Sequence, residues 1–292
     1  MLIPYFDRPD LLRYTVASVL AQDDPAWRLT VVDDGPGTDG VADFLTALAD
    51  PRVRYLHNPV NLGINRNFQR CLDLATEDVL VITGADDLLL PGYVGCVRAA
   101  YAGCGPDVAV VQLGVQVIDA AGRLREGLAD RAKRLVFAPR LDGPRELGGE
   151  TLATSLLRGN WLYFPALAWR RTAAQAVGFR DDLHVVQDLA LVLDLVRAGH
   201  RLRVVPAVCF SYRRHDTSVS AWRAADGSRF AEERAFFRAE AGRLTTLGWT
   251  RAARAARRHV ASRMNALSLL PAALAGRRGA AVRTLARHAL RP

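Results

Sequence analysis

Short apolar runs alternate with helix-like patterns over the first 118 residues, and this alternation constrains the fold more than any other feature. Five short, mainly apolar runs predict strands, at residues 2–6, 29–32, 53–56, 79–83 and 108–118. Apolar residues at helical spacing between them predict helices, at residues 9–22, 41–48, 64–74 and 91–102. Strand–helix alternation of this kind produces βαβ units, so the sequence predicts an α/β fold built on a mainly parallel sheet.

Two acidic pairs mark the ends of two of these strands. Asp33-Asp34 follows the second strand, and Asp86-Asp87 follows the fourth. Because ligands of open α/β sheets bind outside the carboxyl ends of the strands, we expect both pairs on one rim of the sheet. Four carboxylates crowded together repel each other, and a hard divalent metal ion that holds a phosphorylated substrate would neutralise them.

Composition limits the class of protein. Half of the 292 residues are hydrophobic, which excludes a disordered chain. The sequence contains no run of 18 apolar residues, so it does not predict a membrane-spanning helix. The first residues lack the features of a secretory signal. Met1 lies almost inside the first strand, so either the chain starts unusually close to its core or its natural start lies upstream. The four cysteines form no CxxC pair, and we expect reduced thiols in a cytoplasmic protein.

The net charge of +9 comes from the C-terminal part of the chain. Residues 241–292 contain 11 arginines and no Asp or Glu, which leaves residues 1–240 at −2. A charge confined to the tail argues against nucleic acid as a partner. We expect the tail to form helices that dock on the preceding domain through Leu267, Leu270 and Leu274, or that touch an anionic membrane surface.

The middle of the chain is less regular. We expect loops and short pairings over residues 119–149, a helix over 149–158, an extended aromatic segment over 161–169, a helix over 187–198 and a strand over 204–212. From about residue 230 the pattern is helical and rich in Ala and Arg. This change predicts a first domain at residues 1–225 and a helical extension at residues 226–292.

A series of short motifs follows this order of elements along residues 2–220. They are Ile3-Pro4-Tyr5-Phe6-Asp7-Arg8-Pro9, Ser18-Val19-Leu20-Ala21-Gln22, Val31-Val32-Asp33-Asp34-Gly35, Asp39-Gly40, Asn61-Leu62-Gly63, Arg66-Asn67, Ala85-Asp86-Asp87, Pro91-Gly92-Tyr93, Gly178-Phe179, Asp188 and Tyr212-Arg213-Arg214-His215. Each motif is weak alone, but together they resemble the inverting glycosyltransferases of family 2. The resemblance implies the GT-A fold, a Rossmann-like sheet flanked by helices, with nucleotide-sugar binding in residues 1–118 and the acceptor side in residues 119–225.

The same resemblance implies a metal-dependent enzyme that moves a sugar from a UDP- or dTDP-sugar to a hydroxyl of a saccharide, lipid-linked or small-molecule acceptor. It implies nucleotide contacts from Pro4, Tyr5, Asp7, Asp34, Arg66 and Asp86. Asp87 and His215 would be ligands of Mn²⁺ or Mg²⁺, which stabilise the charge of a departing nucleoside diphosphate. Asp34 would accept the N3–H of uracil, unless the first acidic pair only ends a strand and caps the next helix. Arg213 and Arg214 are candidates for bidentate phosphate contacts.

Asp188 is the catalytic base that the resemblance implies. A positioned carboxylate can take the proton of an acceptor hydroxyl as it attacks the anomeric carbon. The alternative is a structural role, as the cap of the helix that follows. Trp161 and Tyr163 are candidates for stacking on a sugar ring of the acceptor, with core packing as the alternative for both.

Two departures from the family pattern leave another class of function open. Pro36 stands where a Ser is common, and Gln187 stands where Glu is common beside the base. A non-catalytic nucleotide-sugar or glycan-binding module of the same fold is therefore the alternative. A sugar-phosphate nucleotidylyltransferase is less favoured, because residues 1–15 lack a Gly-rich phosphate loop. We expect a cytoplasmic enzyme, with the tail able to lie peripherally at the inner face of the membrane.

Overall fold

The computed structural model describes residues 1–125, 127, 130–131, 133–214, 228–276 and 279–290. Within these residues, strands β1 to β9 lie at Leu2–Tyr5, Leu29–Asp33, Val53–His57, Val79–Val81, Leu88–Leu89, Val108–Ile118, Arg145–Gly148, Leu167–Arg170 and Arg201–Arg213. Helices α1 to α11 lie at Pro9–Leu20, Val41–Ala47, Ile64–Leu74, Tyr93–Ala102, Gly149–Arg158, Arg171–Val177, Gln187–Arg197, Ser228–Thr246, Thr250–Arg258, Val260–Ala275 and Gly279–Leu290. A π-helical turn spans Lys133–Phe137.

The strands of the N-terminal part are parallel and place their carboxyl ends together. β1, β2 and β3 pair in that order, with Tyr5 opposite Asp33. The parallel pairing of Leu2 with Ile82 places the segment after β4 on the other side of β1. The sheet then continues in the order β4-β8-β6-β9-β5, in which β6 and β9 are parallel and β8 is antiparallel to both of its neighbours. The ends of β2, β1 and β4 therefore meet at one edge.

The predicted α/β fold with parallel strands and flanking helices is confirmed. Helix α1 shows why the local pattern succeeds. Pro9 lies in its first turn, where a fixed φ suits the helix and no N–H is needed. Leu12, Val16 and Val19 follow at helical spacing and are fully buried in a core shared with the first strands.

The middle of the chain contains short elements that the sequence pattern does not indicate. Helix α6 occupies residues 171–177, and β9 begins at Arg201, before the predicted strand at 204. β5 has two residues, and it is a strand only because Leu88 and Leu89 pair with β9. Elements of this length depend on distant pairing partners rather than on local propensity.

Helices α8 and α9 pack on the sheet domain. Phe236 and Phe237 of α8 belong to the same buried core as residues of α5 and α7. Glu240 of α8 is fully buried and pairs with Arg180 at 2.9 Å and with Arg197 at 2.5 Å. The start of the C-terminal extension is therefore joined to the domain by apolar and ionic contacts. The predicted boundary between residues 225 and 226 lies outside the described residues.

The expected docking of the tail through Leu267 and Leu274 is wrong. These side chains are 45% and 60% exposed, because α10 turns them away from the domain. Leu270 instead packs in a small cluster with Phe230 and Leu285. Among the described helices, each one is too short or too polar to cross a membrane.

Candidate functional site

Asp33 shapes the turn at the end of β2. It is fully buried, and its carboxylate accepts hydrogen bonds from the Gly35 N–H at 2.8 Å and the Tyr55 hydroxyl at 2.6 Å. Glycine is needed at position 35, because a Cβ there would lie 2.1 Å from the carbonyl oxygen of Phe6. The loops that follow β1 and β2 therefore touch and form one side of the rim.

Asp34 braces the loop between β3 and α3. Its buried carboxylate accepts the side-chain N–H of Asn58 at 2.8 Å and the backbone N–H groups of Leu62 at 2.7 Å and Gly63 at 2.8 Å. A carboxylate has about four acceptor positions, so roughly one remains for a ligand. The acidic pair does not cap the next helix, since α2 begins after Gly40 without a side-chain cap. The predicted contact between Asp34 and a nucleobase stays a prediction.

The other predicted nucleotide residues lie around the same rim but differ in availability. The hydroxyl of the buried Tyr5 donates to the carboxylate of Asp39, so this group is already engaged. Pro4 is half-buried, and Asp7 is exposed just beyond β1. Arg66 is exposed in the first turn of α3, next to the loop that Asp34 braces. Asp7 and Arg66 are therefore the members of this group that a ligand can reach most easily.

Asp86 and Asp87 follow β4 and differ in exposure. Asp87 is 1% exposed, and its Oδ1 accepts the backbone N–H of Arg213 at 2.8 Å. Burial raises the pKa of Asp87 well above its usual range, and the negative charge of Asp86 raises it further. Asp86 is half-buried. It is therefore the more accessible of the two carboxylates at the edge where the loops after β1 and β2 also meet.

Polar side chains of α1 and Arg213 hold this acidic segment in place. The Thr15 hydroxyl donates to the carbonyl of Asp87 at 2.8 Å, and the Ser18 hydroxyl accepts the N–H of Leu89 at 3.1 Å. The Arg213 guanidinium donates to three backbone carbonyls at 2.7, 3.1 and 3.0 Å. Arg213 is thus a structural brace, which explains the motif without the phosphate contact considered for it.

A further carboxylate lies in a cleft of about 470 Å³ bordered by α5, α7, α8 and α10. Asp188, in the first turn of α7, lines this cleft and is half-buried. It accepts the N–H of Leu189 at 2.7 Å, and a side-chain N–H of Asn160 lies at 3.4 Å. Burial raises the pKa of Asp188, and the nearby charges of Lys133 and Arg229 oppose that shift. A carboxylate of this kind can accept a proton from a bound hydroxyl.

The alternative role of Asp188 as a helix cap is wrong. Helix α7 begins at Gln187, its cap position is Val186, and no side chain caps it there. The N–H groups of residues 184, 185 and 186 donate instead to one oxygen of Glu232, at 3.0, 2.7 and 3.1 Å. Asp188 therefore does not cap the helix, although its carboxylate accepts the N–H of Leu189 within the first turn.

Three consecutive residues connect the acidic rim to this cleft. Tyr212 lines the cleft, and its ring centroid lies 5.3 Å from that of Tyr163. The N–H of Arg213 binds the acidic pair, and Arg214 lines the cleft and pairs with Asp130 at 2.5 Å. Predicted donor-side and acceptor-side residues are thus brought together. His215, the next residue and a predicted metal ligand, lies outside the described residues.

The two predicted acceptor aromatics have different surroundings. Trp161 is 2% exposed, and its indole N–H donates to the Ser155 hydroxyl at 3.1 Å. It packs in the core and does not line the Asp188 cleft. Tyr163 is half-buried and does line the cleft. Tyr163 is therefore the better placed of the two to contact an acceptor.

Lys133 is a cleft residue that the sequence patterns do not reveal. Its Nζ donates to the carbonyl of Leu162 at 2.6 Å and lies 3.8 Å from the centroid of the Tyr163 ring. Burial lowers the pKa of Lys133 to about 8, and the charge of Asp188 acts in the opposite direction. The one available signal is composition, because Lys133 is the only lysine among 39 Lys and Arg residues.

Comparisons with known proteins show similarity to glycosyltransferases in the part of the chain that carries the rim. Residues 1–138 match the model of glycosyl transferase family 2. The match covers 138 of the 292 residues, a little under half of the chain. The matched part contains both acidic pairs and ends before Asp188. An uncharacterized protein of Mycobacterium tuberculosis (strain CDC 1551 / Oshkosh), MT1568, is 29% identical over 231 residues, which cover 76% of this chain and 68% of that protein. WcaA of Escherichia coli (strain K12), a putative colanic acid biosynthesis glycosyl transferase, is 35% identical over 86 residues, which cover 29% of this chain and 30% of WcaA.

Solved structures share the fold. TarS 1-349 of S. aureus, in complex with UDP-GlcNAc, superposes with a TM-score of 0.62 at 13% identity over 81% of this chain. The chain spans only 64% of that TarS structure. The mannosyltransferase PcManGT of Pyrobaculum calidifontis, in complex with GDP-Man and Mn²⁺, has a TM-score of 0.59 at 17% identity, over 99% of this chain and 84% of PcManGT. The fold is of the GT-A type, and with the domain match these neighbours support glycosyltransferase as the enzyme class.

Proposed function

We propose that the protein is a metal-dependent, inverting glycosyltransferase that moves a sugar from a nucleoside-diphosphate donor to an acceptor hydroxyl. The observation that carries the proposal is the continuity between the acidic rim and the Asp188 cleft through Tyr212, Arg213 and Arg214. A donor bound at the rim and an acceptor bound in the cleft then meet beside Tyr212. UDP- and dTDP-sugars are the donors that we expect, and the GDP-Man complex of PcManGT adds guanine to the bases worth testing.

The residues at the rim fit a hard divalent cation. Asp86 and Asp87 offer carboxylate oxygens, which suit Mn²⁺ and Mg²⁺. The raised pKa of Asp87 reflects a buried carboxylate beside another negative charge, and a nearby cation relieves both effects. No group of three or more His, Cys, Asp or Glu in the described part of the chain could hold a metal ion. Diphosphate oxygens and water, together with the predicted ligand His215, would complete the coordination of an ion held here, and the ion would supply charge stabilisation to the departing diphosphate.

In this proposal each acidic group has a distinct task. Asp86, the more accessible carboxylate, would contact both the donor and the metal ion. Asp87, the metal ligand that the resemblance implies, would hold the segment in place through Arg213 and add negative charge. Asp188 accepts the proton of the acceptor hydroxyl as that oxygen attacks the anomeric carbon. One base and a direct displacement suffice for this reaction, so we expect inversion of the anomeric configuration.

Donor binding tests the proposal directly. We expect UDP, dTDP or GDP to bind with a dissociation constant of roughly 1 μM–1 mM in the presence of Mn²⁺, and far more weakly without it. Calorimetry with each nucleotide, with and without Mn²⁺, measures this difference. Release of nucleoside diphosphate from the matching sugar donor then separates an enzyme from a binding module. Absence of binding to all three nucleotides contradicts the donor assignment, and binding without turnover favours the non-catalytic alternative.

The C-terminal helices support a second part of the proposal, a peripheral contact with an anionic membrane surface. Helix α10 exposes apolar side chains at helical spacing, Val260, Met264, Leu267 and Leu274, which are 43%, 61%, 45% and 60% exposed. The preceding helix α9 exposes several arginines, and residues 241–292 contain no acidic residue. An apolar helix face beside cations suits an interface of acyl chains and anionic headgroups.

Vesicle co-sedimentation tests this contact. We expect the protein to bind vesicles that contain anionic lipid, less at high salt, with each arginine near the surface contributing about 1 kcal/mol. Met264→Asp places a charge on the apolar face and should reduce the bound fraction. Leu247→Asp is the matched control, because Leu247 is 49% exposed at the end of α8 and lies off that face. Equal recovery on neutral and anionic vesicles, or equal loss in both variants, contradicts the contact.

A further inference from the structure

A cavity of about 700 Å³ lies beside the Asp188 cleft and is not needed by the donor site. Its floor is formed by β6 and β9, and its other walls are formed by residues from the segment 124–141 and by Trp161 and Tyr163. Most lining side chains are apolar, among them Val115, Val117, Leu141, Val204 and Val208. Cavities of this volume and composition are typical of small-molecule binding sites.

The floor of the cavity arises from an irregular pairing of β6 and β9. The register shifts on both sides of Gly114, and a Cβ on Gly114 would lie 2.6 Å from the carbonyl oxygen of Pro206. The two backbones therefore approach closely at this point. β9 carries extra residues between Val204 and Phe210, and regular pairing resumes at Val115. Val208 is left 50% exposed, and Leu124 opposite the strands is 72% exposed. Apolar surface that the chain itself leaves uncovered is available to an apolar ligand.

Two side chains separate the cavity from the cleft. Lys133 and Tyr163 line both spaces. They contact each other, with the Lys133 ammonium 3.8 Å from the centroid of the Tyr163 ring. A molecule that extends from one space into the other would therefore pass this pair of side chains.

A buried carboxylate oxygen at the boundary calls for a hydrogen-bond donor. Asp130 is 5% exposed and lines the cavity. Its Oδ1 accepts the Tyr163 hydroxyl at 3.2 Å and an Arg214 N–H at 2.5 Å. Its Oδ2 is buried and has no hydrogen-bond partner among the residues that the structure describes. Buried polar atoms are usually paired, so a ligand that offers a hydroxyl or amide N–H here would satisfy this oxygen.

We infer that the cavity holds the apolar part of an amphiphilic acceptor, whose hydroxyl-bearing part lies in the Asp188 cleft and hydrogen-bonds Asp130 where the two spaces meet. This inference rests on the proposed function, because it takes the cleft to be the acceptor site. It narrows the acceptor class from any hydroxyl compound to a sugar or polyol that carries a hydrocarbon chain. A free, fully polar saccharide would leave the apolar floor of the cavity uncovered.

Two glucosides that differ only in chain length serve as probes. Each buried CH₂ group contributes about fourfold in affinity. If about half of the additional chain is buried, n-octyl β-glucoside should bind roughly 100-fold more tightly than methyl β-glucoside. Calorimetry on the full chain, with the octyl compound below its micelle-forming concentration, measures the ratio. Equal affinities for the two glucosides overturn the inference.

Single substitutions test where the octyl group binds. Val208→Asp places a charge in the cavity, and we expect it to reduce the octyl-to-methyl preference to less than about tenfold. Met264→Asp is the matched control, because it removes the exposed apolar face of α10 and should leave the preference unchanged. If Met264→Asp abolishes the preference and Val208→Asp does not, the octyl group binds the exposed face of α10 instead of the cavity, and the inference is overturned. Leu124→Asp replaces Val208→Asp if the latter does not melt like the wild-type protein.

Binding of nucleoside diphosphate with Mn²⁺, measured on the same samples, separates this inference from the proposed function. Nucleotide binding without a preference for the octyl compound keeps the glycosyltransferase proposal and overturns the amphiphilic acceptor. A preference for the octyl compound without nucleotide binding overturns the acceptor assignment together with the proposed function. Both properties in the wild-type protein, with loss of only the octyl preference in Val208→Asp, support the inference.

Discussion

Replacing Asp188 with asparagine should lower turnover by about 10²–10⁴ while nucleoside-diphosphate binding stays unchanged. The amide cannot accept the proton of the acceptor hydroxyl, yet it keeps an oxygen that can accept the Leu189 N–H. The helix start should also be unaffected, because Glu232 holds the N–H groups of residues 184–186. Initial rates with a competent donor and acceptor, together with calorimetry of the nucleotide, measure the two effects separately.

The pH dependence gives a second view of the same group. A general base works in its deprotonated form, so kcat/KM should rise with pH through the pKa of Asp188 and level off above it. Because burial raises that pKa, this rise should lie at higher pH than for an ordinary aspartate. Asp182→Asn, at an exposed position of the preceding loop, is the matched control and should retain wild-type rates. Full activity in Asp188→Asn would remove Asp188 from the chemistry.

The sequence predicts those parts of the fold that depend on local pattern. The strand runs at residues 29–32 and 53–56 and the helix at 64–74 appear where the local sequence pattern places them. β8 is different, because its antiparallel place between β4 and β6 is fixed by pairing with strands about 60 and 90 residues away. No local pattern contains that information.

The same distinction applies to the site. That Asp86 and Asp87 lie on the ligand-binding rim follows from strand order alone. Which of them is buried does not, because it is decided by the N–H of Arg213, 126 residues later in the chain. Likewise, the sequence offers Asp188 as the cap of the helix that follows it. The structure shows instead that Glu232, from α8, accepts the N–H groups that precede this helix. Long-range contacts of this kind assign the roles within a motif.

The pair Asp86 and Asp87 carries the second large effect. Asp86→Ala should weaken Mn²⁺-dependent nucleoside-diphosphate binding by roughly 100-fold or more, because charge stabilisation by a bound metal is worth several kcal/mol. The charge of Asp86 raises the pKa of Asp87 by repulsion. Removing that charge relieves the repulsion, and this effect by itself raises the melting temperature. Calorimetry with Mn²⁺ and the nucleotide, and thermal unfolding without either, measure the two quantities.

Asp87→Ala should behave differently, because Asp87 is buried and supports the backbone of β9. Its loss leaves the Arg213 N–H without its acceptor, which should lower the free energy of unfolding by about 1–3 kcal/mol in addition to weakening nucleotide binding. Asp87→Asn keeps an acceptor oxygen for that N–H and should recover most of the stability. If Asp87→Asn is as stable as wild type but loses all metal-dependent binding, while Asp86→Ala retains it, Asp87 is the principal ligand. That result would assign the metal to the buried carboxylate.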